Sequence, residues 1–171
     1  MRKCFKYFFT TAVSIIMLCG CTISYKFNGA SIDYNTTKTI SIADFPIRAA
    51  LVYPPLSQAF NEALQDIYIR QTRLSMVRTN GDLQVEGEIT GYDITPQAVK
   101  SDAYASQTRL TIRVRVKYTD TKNPQFSIDE TFSAYRDFDS SRLLTDVQDE
   151  LIDEITQELA ELIFNATVAN W

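Results

Sequence analysis

The chain has 171 residues, of which 17 are basic and 21 acidic, and it contains no histidine. Without histidine, Ser-His-Asp catalysis, Cys-His catalysis and histidine-ligated metal centres are excluded. The excess of acidic residues disfavours a nucleic-acid partner, because a nucleic-acid-binding domain carries a basic surface.

The N-terminus has the layout of a secretory signal. Arg2, Lys3 and Lys6 form a positive segment, and Phe8–Cys19 is an uncharged, mostly apolar run of twelve residues. Such a run is too short to cross about 30 Å of hydrocarbon as a helix, which needs roughly 20 residues. It is typical of the hydrophobic region of a signal peptide. We therefore predict that residues 1–20 are removed.

Cys21 is predicted to carry a lipid anchor. Leu18 to Cys21 form a lipobox, in which a branched apolar residue and two small residues precede the cysteine that is lipidated. Two or more fatty-acyl chains, such as palmitate, are needed for stable membrane attachment. An ordinary signal peptide with an incidental cysteine is the alternative. Because Cys4 and Cys19 leave with the signal, no disulfide is expected.

The remaining 151 residues are long enough for one packed domain. They carry fourteen basic and twenty-one acidic residues, a net charge of −7. We predict a lipidated tether over residues 21–36 and a single α+β domain over residues 37–171. Alternation predicts a short first strand over Thr39–Phe45. Pro54 and Pro55 then precede an amphipathic helix over 56–72.

Four further strands are predicted by alternation and by turn residues. A short strand covers 73–78, Asn80-Gly81 predicts a turn, and a longer strand runs from Leu83 to near Pro96. After a polar connection over 97–107, alternation is clearest from Leu110 to Tyr118. A turn over 120–124 leads to a last strand, in which Glu130 interrupts the alternation and suggests a bulge.

A long amphipathic helix closes the chain near Ala169, with Asp139, Ser140 and Ser141 as candidate N-caps. Leu143, Leu144, Val147, Leu151, Ile155, Leu159, Leu162 and Ile163 form its predicted apolar stripe. Its acidic face is interpreted as a solvated surface, and Trp171 is expected to pack on its own domain. The fold class is α+β, in the order β-α-β-β-β-β-α. A mostly antiparallel sheet of four to five strands is expected to carry both helices on one face. The strand order stays open.

The best candidate for a binding surface is a basic row on one strand. Arg109, Arg113, Arg115 and Lys117 share one face, and residues two apart in a strand lie about 7 Å from each other. Such a row suits an anionic lipid bearing phosphates. The alternative is ordinary cross-strand pairing with Glu86 and Glu88 of a neighbouring strand.

No enzyme, metal or cofactor is predicted. The carboxylate pairs Asp137 and Asp139, and Asp149 and Glu150, are interpreted as solvated surface groups. The chain has neither a glycine-rich phosphate loop nor the dense oxygen ligands of a calcium loop.

Several segments together resemble the LptE family, particularly its members from Bacteroidota. They are the lipobox before Cys21, Ala43–Pro46, the proline-led helix start Leu56–Phe60, Gly81–Ile89 and the ending Val168–Trp171. The resemblance covers nearly the whole mature chain.

The resemblance implies an outer-membrane lipoprotein of lipopolysaccharide export. Such proteins plug the large β-barrel LptD and help it assemble, and they are non-enzymatic. Arg113, Arg115 and Lys117 would be candidate contacts to lipopolysaccharide. Thr22 follows Cys21 without an acidic run of the kind that resembles a surface-export signal in Bacteroidota, which favours a periplasm-facing position. Alternatives are an accessory lipoprotein of another outer-membrane secretion or fibre-assembly complex, or a small-ligand carrier.

Overall fold

The computed structural model describes residues 32–97 and 106–168. The signal peptide, Cys21 and Trp171 lie outside the described residues. The elements follow in the order β1 (Thr39–Ile42), α1 (Pro54–Gln71), β2 (Ser75–Met76), β3 (Leu83–Gln97), β4 (Gln107–Asp120), a 3-10 turn (Pro124–Phe126), β5 (Ile128–Asp139) and α2 (Leu144–Thr167). The predicted order of strands and helices is confirmed.

The five strands form one mixed sheet in the order β2-β1-β3-β4-β5. The three long strands, β3, β4 and β5, are antiparallel to one another, whereas β1 is parallel to both β2 and β3. The expectation of a mostly antiparallel sheet therefore holds for the long strands only. Helix α1 carries the chain back to the end of the sheet where β1 began, and this crossover makes β1 and β2 parallel.

Strand β4 shows the predicted alternation most clearly. Leu110, Ile112, Val114 and Val116 are fully buried, and the residues between them are partly or largely exposed. Polar and apolar side chains therefore leave this strand on opposite faces of the sheet.

The irregularity in the sheet lies in β3, not in β5. The register with β4 shifts between Ile89 and Gly91, so Thr90 is the bulged residue. Strand β5 pairs with β4 without any shift, and Glu130 lies opposite Val116. The predicted bulge at Glu130 is therefore wrong. Because β5 is the outermost strand, Glu130 reaches solvent even from the apolar side of the sheet.

The core lies between the sheet and the two helices, which pack on one face as predicted. Aromatic side chains connect its layers. Phe45 meets Phe60 of α1 with 5.1 Å between ring centroids, and Tyr68 of α1 meets Phe164 of α2 at 5.2 Å. The Tyr68 hydroxyl lies 2.6 Å from Thr167 Oγ1, which satisfies both buried groups.

Helix α2 begins later than its predicted caps. Strand β5 continues to Asp139, whose carboxylate accepts a hydrogen bond from the Ser141 backbone N–H at 2.8 Å. This contact makes a turn instead of a cap. The N-cap is Leu143, which makes no side-chain capping bond. Leu143 and Leu162 are exposed, so they do not belong to the buried stripe.

Candidate functional site

The basic row of β4 lies on the sheet face opposite the helices. Arg109, Arg113, Arg115 and Lys117 alternate with the buried residues of the strand, and the structure brings all four onto one polar face. We call this surface the polar face of the sheet.

Two cations of the row pair with carboxylates on β5. Arg109 Nε donates to Asp137 Oδ1 at 2.7 Å, and Arg115 Nε donates to Asp129 Oδ1 at 2.9 Å. In both pairs a second guanidinium nitrogen bonds the other carboxylate oxygen, so the contacts are bidentate. These guanidinium groups hold the pKa of Asp137 and of Asp129 below the usual range. Arg109 also stacks on the Tyr135 ring, with its guanidinium carbon 3.7 Å from the centroid.

The other two cations pair with carboxylates on β3. Arg113 Nη2 lies 2.7 Å from Asp93 Oδ2, and Lys117 Nζ donates to Glu86 Oε1 at 2.7 Å. The Arg113 side chain crosses Gly91, where an added Cβ would lie 2.8 Å from Arg113 Nε. Glycine at this position therefore makes room for the guanidinium group.

The polar face is thus covered by a network of ion pairs. The predicted pairing with Glu86 is present, whereas Glu88 lies 4.0 Å from Arg48. The side chains of Lys117 and Glu86 are more than half exposed, so water and dissolved anions can compete for the cation. A depression of about 380 Å³ lies beside Arg115 and Lys117. Contact with lipopolysaccharide at Arg113, Arg115 and Lys117 stays a prediction.

Sequence reasoning missed Asp82, which joins three segments near the start of β1. Its carboxylate accepts hydrogen bonds from the backbone N–H groups of Lys38 and Thr39 at 3.0 and 3.1 Å. It also pairs with Lys122 Nζ at 3.1 Å. These donors, led by the Lys38 N–H, lower the pKa of Asp82 strongly. Asn80, whose φ is 56°, provides the turn before it, and Asn80-Gly81 was the available sequence signal.

The acidic face of α2 is not purely solvated. Arg136 of β5 donates from Nε to Glu154 Oε2 at 2.6 Å and pairs with Glu158 through Nη1. The Tyr53 hydroxyl donates to Asp149 Oδ1 at 2.7 Å. These contacts tie the helix to the edge of the sheet and to the loop before α1.

Two further features of the described residues concern metals and membranes. Among residues 32–97 and 106–168, no three acidic, cysteine or histidine side chains lie close enough together to hold a metal ion. None of the described helices combines the length and apolar character needed to cross a membrane.

The fold and the polar face define a class of protein: a small domain with a mixed sheet, in which the described residues place two helices on one side and charged side chains on the other. A family model described as "LptE: Lipopolysaccharide-assembly" matches residues 37–167. Since this match spans most of the chain, the protein belongs to the LptE family of lipopolysaccharide-assembly lipoproteins. No curated protein sequence matches the chain.

Two solved structures are similar to the chain. The rare lipoprotein B from Shewanella oneidensis is 10% identical, with 77% of this chain and 95% of that chain covered and a TM-score of 0.53. A minor lipoprotein from Acinetobacter baumannii is 14% identical, with 78% and 94% covered and a TM-score of 0.49. At these identities the likeness concerns the fold alone.

Proposed function

We propose that this protein is lipidated on Cys21, sits in the outer membrane facing the periplasm, and plugs and helps assemble an LptD-type β-barrel that delivers lipopolysaccharide to the cell surface. The observation that carries the proposal is the family match over residues 37–167. The role is non-catalytic, in keeping with a family of accessory lipoproteins.

The architecture supports a role as a rigid insert. One sheet face and two helices enclose a continuous apolar core, and the opposite face is covered by short ion pairs. A domain built this way keeps its shape while presenting a hydrated surface to a water-filled barrel interior. Asp82 fixes the start of β1, close to the point where the proposed tether joins the domain.

Depletion of the protein in its native host tests the transport role. We expect newly made lipopolysaccharide to disappear from the cell surface and to accumulate inside the envelope. Surface labelling of intact cells, compared with labelling after lysis, measures both pools. Unchanged surface delivery after complete depletion would refute the role in export.

The anchor is tested separately by Cys21→Ala. The variant is expected to leave the membrane fraction or to accumulate as an unprocessed precursor, because the thiol that accepts the lipid is missing. Cell fractionation and mass spectrometry of the N-terminus read out both results. Normal processing and membrane attachment of the variant would contradict lipidation on Cys21.

The most specific part of the proposal is that Arg113, Arg115 and Lys117 contact lipopolysaccharide. A lipid phosphate would replace a carboxylate beside a cation, as at Lys117, where Glu86 now lies. Glu86→Gln should therefore strengthen binding, and Lys117→Glu should weaken it. Thr119→Ala, on the same strand, serves as the control. Equal binding of purified lipopolysaccharide by all three variants would exclude this contact.

A further inference from the structure

Among the residues that the structure describes, strand β5 leaves one edge of the sheet unpaired. It is the outermost strand on its side and has twelve residues, whereas the opposite edge strand, β2, has two. Within residues 32–97 and 106–168, no backbone group pairs with the outer edge of β5. A row of free N–H and C=O groups of this length is a template for another strand.

The register identifies which residues face outward. In an antiparallel ladder, successive residues direct their N–H and C=O groups alternately toward one neighbour and away from it. Ser140 N–H donates to the Ser106 carbonyl, on the β4 side, at 3.0 Å. The odd-numbered residues of β5 therefore direct their backbone groups to the free edge. They are Asp129, Thr131, Ser133, Tyr135 and Asp137.

The Arg136 side chain occupies part of the unpaired edge of β5. Its Nη1 donates to the Tyr135 carbonyl at 2.9 Å, while the guanidinium is also held by Glu154 and Glu158 of α2. This bond places the Tyr135 carbonyl on the outer edge, as the register requires, and covers it. The open part of the edge is Asp129–Ser133, close to the length of an average strand, which is about 5–6 residues.

The charge of β5 indicates which kind of partner strand could pair with its open edge. Glu130 is exposed within the open stretch and forms no ion pair with any cation of the described residues. Strand β5 carries four acidic residues against the single basic Arg136. A second copy would bring an acidic strand against an acidic strand, which is unfavourable. A segment bearing Lys or Arg is complementary.

We propose that the Asp129–Ser133 edge of β5 binds an extended segment of a protein partner as a sixth strand, with a basic residue of that segment beside Glu130. Main-chain hydrogen bonds would supply the affinity, and the charge would select the segment. This contact rests on the proposed function in taking the outer-membrane barrel as the partner.

Crosslinking from the edge in the native host tests the contact. A photo-crosslinking residue at Thr131 of the full chain is expected to form an adduct with the barrel protein. The same residue at Asp153, on the exposed side of α2, serves as the control, and any adduct it forms is expected to be insensitive to substitutions in the β5 edge. Mass spectrometry of the Thr131 adduct identifies the partner and the segment.

Ser133→Pro then removes one edge donor without removing a hydrogen bond from the β4 ladder, since proline is tolerated on an edge whose N–H faces solvent. We expect the adduct yield from Thr131 to fall about tenfold, the effect of losing roughly 1.4 kcal/mol of binding. Ser133→Val keeps the N–H and should leave the yield unchanged. Glu130→Lys, which leaves the backbone intact, should also lower the yield, so the test does not depend on the proline variant folding.

Each outcome separates the two proposals. No partner adduct at Thr131, or a yield unchanged by both Ser133→Pro and Glu130→Lys, overturns the edge contact, even if the barrel co-purifies. An adduct with a second copy of the chain also overturns it, because the occupant is then the chain itself. An adduct with a different protein, sensitive to Ser133→Pro, supports the edge contact and refutes the barrel as the partner.

Discussion

The two faces of the sheet are held together in different ways. On the helix side, Leu110, Ile112, Val114 and Val116 are fully buried against α1 and α2. On the polar face, the residues between them carry charges that pair across the strands. Burial of apolar area dominates folding stability, whereas exposed ion pairs contribute little. Most of the folding stability is therefore expected to come from the apolar face.

The largest loss of stability is expected from a substitution on the apolar face. Ile112→Ala should lower the free energy of unfolding by about 2–5 kcal/mol, because it leaves a cavity beneath the helices. Thr111→Ala, its neighbour on the polar face, should change it by only about 0.5 kcal/mol. Urea denaturation of both variants measures the difference. Similar losses in the two variants would contradict the division between the faces.

A smaller loss is expected at the start of β1. Asp82→Ala should lower the free energy of unfolding by about 1–3 kcal/mol, since it leaves the backbone N–H groups of Lys38 and Thr39 without their acceptor. Hydrogen exchange at those two amides should accelerate more than exchange in β4. Asp82→Asn keeps one acceptor oxygen and should fall between the wild type and the alanine variant. Unchanged exchange at Lys38 and Thr39 would argue against the role of Asp82.

The smallest expected effect is the pH dependence of stability that arises from the ion pairs of the polar face. Arg109 and Arg115 lower the pKa of Asp137 and Asp129 in the folded protein. In the unfolded chain these carboxyl groups have pKa values of about 3.9. The two ion pairs therefore contribute their full stabilisation of the folded state above that pH. It is lost as the pH falls through the lower folded-state pKa values.

The pH dependence is measured from urea midpoints between neutral and strongly acidic pH, with added salt as a second variable. Replacing Asp129 and Asp137 together by Asn should reduce the fall of the urea midpoint at acidic pH. Added salt should reduce the same part of the pH dependence in the wild type. If the urea midpoint falls equally at acidic pH in the wild type and in the double variant, these two ion pairs are not the source of the fall.

Local patterns predicted the elements because each depends on residues close in sequence. The alternation from Leu110 to Tyr118 gave β4 and the face of each of its residues, and Asn80-Gly81 gave the turn before β3. The strand order and the parallel pairing of β1 depend on contacts between distant segments, which periodicity does not contain.

The candidate site was only partly predictable for the same reason. Alternation placed the basic row on one face, but the carboxylate beside each cation depends on the register. The bulge at Thr90 shifts that register and brings Asp93 beside Arg113. The caps predicted at Asp139 to Ser141 were wrong, because the same polar residues also favour the turn that follows a strand. Asp82 had no signal of its own beyond the turn before it.

A pull-down tests whether this lipoprotein is the partner of an outer-membrane barrel. The full chain, tagged at its C-terminus and expressed in its native host, is purified from outer membranes in mild detergent, and co-purifying proteins are identified and quantified by mass spectrometry. We expect a β-barrel of the LptD type to co-purify in near-stoichiometric amount. Recovery of a different complex, or of the chain without any barrel, would contradict the proposed role and leave family membership and fold as they stand.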